Sequence, residues 1–215
     1  YSPELLIQTT ITGQLSLLMM IERLELAGVK VVSANTDGIN VLFKKDRFTE
    51  VETIIYEWEL ETGYNFECTE YKATYSRDVN SYVAVKTDGS IKGKGAYADP
   101  NLMKNPTNEI CVIAVKEYLA NNTPIEQTVN ACKDITKFIC IRSVTGGAIW
   151  RDEYLGKAVR FYYSKDGDTI HYKKNNNKVP KSDGAKPLMD LCEVLPDDLN
   201  HQWYIDEAIS LLNDL

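Results

Sequence analysis

An α+β fold is predicted by the order of two kinds of pattern along the chain. Apolar residues recur at helical spacing over residues 4–27 and 47–62. Residues 31–44 and 65–95 instead alternate in strand fashion around Asp-Gly turns. Helical patterns return after residue 108. Helix, hairpin, helix, hairpin and then helices is an α+β order.

The first helix rests on Leu5, Leu6, Leu15, Leu18, Met19, Ile21, Leu24 and Leu26, with Gly13 interrupting and Gly28 as a C-terminal stop. The segment Val31 to Lys44 then reads as an apolar strand, a tight turn and a second alternating strand. A helix over residues 47–62 places Val51, Ile54, Ile55 and Trp58 on one side, and Gly63 ends it. Phe66, Cys68, Tyr75, Tyr82, Ala84 and Lys86 follow strand alternation, and Asp88-Gly89 turns the chain towards Ser90–Lys94. The Asn- and Pro-rich stretch 101–108 predicts a boundary near Asp99-Pro100. Helices are expected over Glu109–Asn121 and Ile125–Ile141, with Pro124 at a tolerated early position of the second. A hairpin over 156–173 around Asp166-Gly167, a turn at Gly146-Gly147, a loop over 174–187 and a last helix over Asp198–Leu212 complete the reading. No internal repeat is evident.

The chain has 215 residues, 44% apolar and 26% charged, as in ordinary globular domains. No apolar run approaches the roughly 18 residues that span a membrane, and no signal-peptide pattern is present. No membrane association is therefore expected. A chain starting at Tyr1 reads as a piece of something longer. The five cysteines are scattered and lack a Cys-x-x-Cys pair, which argues against a disulfide framework or structural zinc and fits a reducing cytoplasm.

The net charge of −7 does not suggest a nucleic-acid binder, but the charge is uneven. Six cations face three acids between Lys72 and Lys104, and nine face five between Arg151 and Lys186. Such stretches suit either a phosphate-facing surface or solvated loops. His171 and His201 have no ligand-spaced partners and read as exposed. Gly93-x-Gly95 lacks the following helix of a dinucleotide fingerprint. Tyr162 and Tyr163 beside Arg160 suit either DNA contact or packing against helices. Asp37-Gly38 is, on its own residues, a favoured hairpin turn.

Four motifs in order change the weight of that turn. They are Pro3-Glu4-Leu5 through Ile11-Thr12-Gly13-Gln14, Ser33-Ala34-Asn35-Thr36-Asp37-Gly38, Asn80-Ser81-Tyr82, and Ser90-Ile91-Lys92-Gly93-Lys94-Gly95. Together they resemble the later palm of a family B DNA polymerase: its palm helix, its Tyr-Gly-Asp-Thr-Asp-Ser hairpin, its Lys-x-Tyr primer motif and the Lys-x-Lys-Gly stretch. The resemblance implies a palm portion over 1–98, an antiparallel sheet with packed helices. A mainly helical thumb with a β-hairpin would come after it, over 99–215. It implies nucleotidyl transfer to a primer 3′-hydroxyl with two Mg²⁺ ions in the complete enzyme, and Asp37 as the catalytic metal ligand. Asn35, Thr36 and Gly38 would be its motif neighbours. Tyr82, Asn80, Lys92 and Lys94 would meet primer-template DNA.

The chain departs from the family at three positions. Asn35 replaces an aspartate, Gly38 a serine, and Asn80 the lysine of the primer motif; Arg77 or Lys72 stands near enough to substitute for that charge. The family's Asp-x-x-Ser-Leu-Tyr-Pro and Lys-x-x-x-Asn-x-x-Tyr-Gly motifs are absent. The resemblance therefore implies a polymerase fragment that is inactive alone. Its partners would be an N-terminal polymerase portion, dNTP and DNA, in the cytoplasm, or the host cytoplasm if the source is viral. The alternatives are a non-catalytic nucleic-acid-binding or scaffold protein with the same architecture, and an α+β domain unrelated to DNA.

Overall fold

A computed structural model of the chain describes residues 2–36, 38–101 and 104–215. They form two compact units, Tyr1–Glu70 and Tyr71–Leu215. Helices and wholly antiparallel sheets alternate in blocks, so the fold is α+β.

The first unit contains α1 (Pro3–Leu26), the hairpin strands β1 (Lys30–Ala34) and β2 (Ile39–Leu42), and α2 (Phe48–Thr62). Ser2 caps α1, its hydroxyl accepting from the Leu5 N–H at 3.4 Å, and Pro3 fills the position where no N–H is needed. Gly28 and Gly63 come just after the two helices at φ 74° and 73°, a left-handed conformation that a glycine adopts without steric cost. The core is Met20, Leu24, Val29, Val51 and Trp58, with the Trp58 indole N–H donating to the Ser16 carbonyl at 2.9 Å. The Arg47 guanidinium donates to the carbonyls of Ala27 (2.5 Å) and Gly28 (3.2 Å) beyond the end of α1. It also pairs with Glu50 at 2.8 Å in the first turn of α2. The Glu50 hydrogen bond raises the Arg47 pKa and lowers that of Glu50.

At 24 residues, α1 is long and apolar enough by length and composition to cross a membrane. Gly13, Gln14 and Ser16 break its apolar runs, which is why scanning for an unbroken run misses it. Its Met20 and Leu24 lie in the core of the unit.

The second unit contains β3 (Tyr71–Asp78), β4 (Ser81–Lys86), β5 (Ile91–Lys94), α3 (Glu109–Asn121), α4 (Ile125–Ala131), β6 (Cys140–Trp150), β7 (Glu153–Asp168), β8 (His171–Tyr172), β9 (Ala185–Pro187) and α5 (His201–Asn213). One sheet runs β3-β4-β5 and the other β8-β6-β7-β9. A single core joins Val83 and Tyr97 to Ile110 and Val115 of α3, Phe161 and Tyr163 of β7, and Tyr204 and Ala208 of α5. The boundary expected at 98/99 falls inside this unit. The reason is Tyr97, fully buried, whose hydroxyl donates to the Leu211 carbonyl of α5 at 2.8 Å.

Several elements differ from their expected bounds. The helix expected over Ile125–Ile141 stops at Ala131. Asp134 accepts from the N–H and hydroxyl of Thr136 at 2.9 and 2.7 Å, holding a 3₁₀ turn that competes with the helix. Cys140 then opens β6. The turn between β6 and β7 is Arg151-Asp152, both at positive φ (45° and 68°), as a tight hairpin requires. Asp166-Gly167 therefore lies within or at the end of β7 and not at a hairpin tip. Gly146 and Gly147 sit inside β6, where the register with β7 breaks between Ser143 and Ala148. Residues 99–215 thus carry a four-stranded sheet as well as helices.

Polar ties hold this core. The Tyr204 hydroxyl donates to the Phe138 carbonyl at 2.7 Å and accepts the Tyr163 N–H at 2.8 Å. Asp198 gathers the Tyr162 hydroxyl (2.9 Å), the Ser164 hydroxyl (2.8 Å) and the Lys186 ammonium. Burial pushes the Asp198 pKa up, but these three donors outweigh it and leave it below the ordinary value of 3.8. The same burial and the Asp198 charge push the Tyr162 hydroxyl pKa up. The five cysteines form no disulfide among the described residues, and burial raises the Cys111 thiol to about 12.

Tyr204→Phe strands a buried N–H and weakens a carbonyl's bonding, so the variant should lose about 1–3 kcal/mol in urea unfolding. A lowered folded-state pKa stabilises above the unfolded value and loses that stability as pH falls through the folded one. The wild-type chain should therefore lose the Asp198 contribution below about pH 3.8. Asp198→Asn should be less stable at neutral pH and lose less on acidification, measured as urea midpoints across pH.

Candidate nucleic-acid interface

The predicted site residues fall in both units. In the first, Asn35, Thr36 and Gly38 lie at the tip of the β1–β2 hairpin. The Asn35 N–H donates to the Gly38 carbonyl at 2.9 Å, and Asn40 donates from its amide to the Ser33 hydroxyl at 2.9 Å. A Cβ at Gly38 would stand 3.3 Å from the Asn35 side-chain oxygen, so the tip is tightly folded. Asp37, on which the metal expectation rests, lies outside the described residues. Among the described residues no three His, Cys, Asp or Glu side chains are grouped to hold a metal ion. Asn35 offers the tip a neutral oxygen and no charge. The described tip alone does not fit a magnesium site, which takes carboxylates, carbonyls and waters in octahedral array.

In the second unit, the β3-β4-β5 sheet gathers the expected strand-binding residues. Tyr82 stands opposite Lys94, and Ala84 opposite Lys92. Opposed residues share a face and alternate residues share it too, so Tyr82, Lys92 and Lys94 line one face. Tyr82 is half-buried, both lysines are exposed, and neither has an ion-pair partner among the described residues. The opposite face carries Val83 and Val85 towards the core.

Two glycines make that arrangement possible. A Cβ at Gly95 would lie 2.2 Å from the Asn80 carbonyl and 2.5 Å from the Ser81 hydroxyl, and Gly95 holds φ 64°. A Cβ at Gly93 would lie 1.8 Å from the Tyr97 carbonyl and 2.6 Å from Cε of Lys116. The Lys-Gly-Lys-Gly stretch therefore presses bare backbone against Asn80–Ser81 and Tyr97, while its lysines take the other face. Beneath it, the buried Lys116 ammonium pairs with Asp99 at 2.5 Å.

Asn80 lies exposed in the β3–β4 turn, its N–H donating to the Asp78 carboxylate at 2.8 Å. That bond, with help from Arg77, lowers the Asp78 pKa. Arg77 is engaged within the unit: with Asp78 at 3.1 Å, the Ser81 hydroxyl at 3.3 Å and Asp214 at 3.9 Å. Lys72 is exposed and has no ion-pair partner among the described residues.

Of the aromatic residues near Arg160, Tyr162 and Tyr163 are buried, Tyr163 stacking on Trp203. An exposed aromatic of that region is Tyr154, whose ring lies close to Gly147, with the Lys173 ammonium 4.4 Å from its centre. Sequence reading misses it because only the fold brings residues 147, 154 and 173 together. His171 and His201 are half-buried, His201 edge-on to Phe138.

Gly95→Ala meets both a backbone clash and a disfavoured φ, and should cost about 2 kcal/mol or more in urea unfolding. Ser90→Ala, in the exposed loop before β5, should change stability far less.

No family model matches the sequence, and no curated protein is significantly similar to it.

Proposed function

We propose that this chain is a palm-and-thumb portion of a template-directed family B DNA polymerase. The observation that carries this reading is the common face of Tyr82, Lys92 and Lys94, with the Asn80 turn held against Gly95. Two ammonium groups with no ion-pair partner among the described residues, beside a half-exposed phenol, suit a phosphate backbone, which is gripped by cations and polar side chains without regard to sequence. The chain's share of catalysis is Asp37. The two Mg²⁺ ions of the complete enzyme would supply activation of the primer 3′-hydroxyl and neutralisation of the triphosphate. One carboxylate does not hold such a pair, so the fragment is inactive alone and works with an N-terminal polymerase portion, dNTP and primer-template, in the cytoplasm.

Asn35 in place of an aspartate favours a second reading, a non-catalytic nucleic-acid-binding or scaffold protein. Both readings require DNA binding, and only the first requires chemistry.

The chain alone should bind primer-template duplex with an affinity that falls as salt rises. Lys92→Ala with Lys94→Ala should reduce the slope of log affinity against log salt by about 2, since each phosphate contact releases roughly one counterion. Tyr82→Ala should weaken binding with the slope unchanged. An unaltered slope in the double variant refutes the interface. Primer extension in magnesium, after mixing with a polymerase N-terminal portion, should appear and be abolished by Asp37→Ala. Extension that survives that substitution refutes the catalytic assignment, and DNA binding with no extension supports the scaffold reading.

A further inference from the structure

The N-terminal half of α1 is exposed on every side, from Pro3 to Thr12. A helical segment this short has little stability of its own in water. Four exposed apolar side chains of α1 form one line, with Leu5 and Leu6 exposed to either side of it. Ile7, Ile11, Leu15 and Leu18 are spaced by four, four and three residues and are 61%, 47%, 59% and 57% exposed. This line lies away from the Met20 and Leu24 face that packs into the core. Four contiguous large apolar residues left in water mark a contact surface.

The charges on the same line select the occupant. Glu4 precedes Ile7 by three residues and Glu22 comes four after Leu18, so each end of the apolar stretch finishes in a carboxylate. Glu25 adds a third beside Glu22, in the shallow groove of Leu18, Ile21 and Leu26. None of these three has an ion-pair partner among the described residues, and the one cation within α1, Arg23, is engaged by Glu61. A second copy would set carboxylate against carboxylate: Glu4 against Glu22 if antiparallel, each against itself if parallel. Like charges so placed oppose association. A lipid surface is matched by lysines and arginines around an apolar face, and this line has none. A membrane span, which the length and composition of α1 would allow, would pull Met20 and Leu24 out of the core and break the Trp58–Ser16 hydrogen bond.

We infer that this face of α1 docks an amphipathic helix of another polypeptide, apolar in its middle and cationic at both ends. It is a helix-on-helix contact in which the apolar line gives affinity and the terminal carboxylates give register. The inference stands on α1 alone and does not depend on the polymerase reading.

The test titrates two synthetic labelled helical peptides into the full 215-residue chain, monitored by fluorescence anisotropy. Both carry leucines at three- and four-residue spacing; one has lysines in its first and last turns, the other glutamates. The lysine peptide should bind about tenfold or more tightly than the glutamate peptide at low salt. Glu4→Lys with Glu22→Lys should reverse the preference. Both positions are exposed, so circular dichroism should show the fold unchanged. Leu15→Ser with Leu18→Ser should remove binding of both peptides. Equal affinity for the two peptides, no binding of either, or a preference that survives the charge reversal overturns the inference. So does concentration-dependent dimerisation in sedimentation velocity that Leu15→Glu abolishes, which would make a second copy the occupant. Binding to phosphatidylcholine vesicles through the same leucines would overturn it in favour of a lipid surface.

Discussion

The phenol of Tyr204 is the joint of the second unit. It is fully buried on α5, and its one hydroxyl serves both the carbonyl before β6 and an N–H of β7. Those backbone groups have no water to turn to, and an unmet buried polar group costs more than a typical hydrogen bond contributes. The ring meanwhile packs edge-on against Phe138 and Tyr163. Desolvation raises the hydroxyl's pKa well above 10, which keeps it a neutral donor. Around it the four-stranded sheet, α3 and α5 share one core, and Tyr97 extends that core to the β3-β4-β5 sheet. The lysine-bearing sheet is thereby backed by a shared core, although Lys92 and Lys94 themselves stand exposed.

Legibility in the sequence tracks the range of the interactions responsible. α1, α2 and α3 are readable because caps and apolar spacing are local: Gly28, Gly63 and the run Glu109–Asn121. The strands around Asp88-Gly89 are readable for the same reason. The helix expected through Ile141 fails because β6 exists only by pairing with β7, residues 153–168. Gly146-Gly147 resembles a turn locally, and only pairing shows that it is a bulge. Asp99-Pro100 resembles a linker locally, and only the distant Leu211 carbonyl shows that Tyr97 belongs to the same core as α5.

The candidate interface divides in the same way. The period-two alternation of Lys92, Gly93, Lys94 and Gly95 states which residues share a face, so that part is in the sequence. What the glycines are for is not, since Asn80 and Lys116 approach them only after folding. Arg77 reads in the sequence as a free cation three residues before Asn80, but its partners include Asp214 from the far end of the chain. The case for Asp37 rests on its neighbours in the chain and on the proposed polymerase reading, and the hairpin is tightly folded at Asn35 and Gly38.

Arg47 has a consequence for that hairpin. Its guanidinium joins the carbonyls that end α1 to the carboxylate that begins α2, so residues 28–47 form a closed loop cinched at its base. Closing a loop at the base costs chain entropy once, and lengthening its far end adds only logarithmically. The hairpin is thus a cassette: its tip can be lengthened or exchanged while the helices that carry it stay in place.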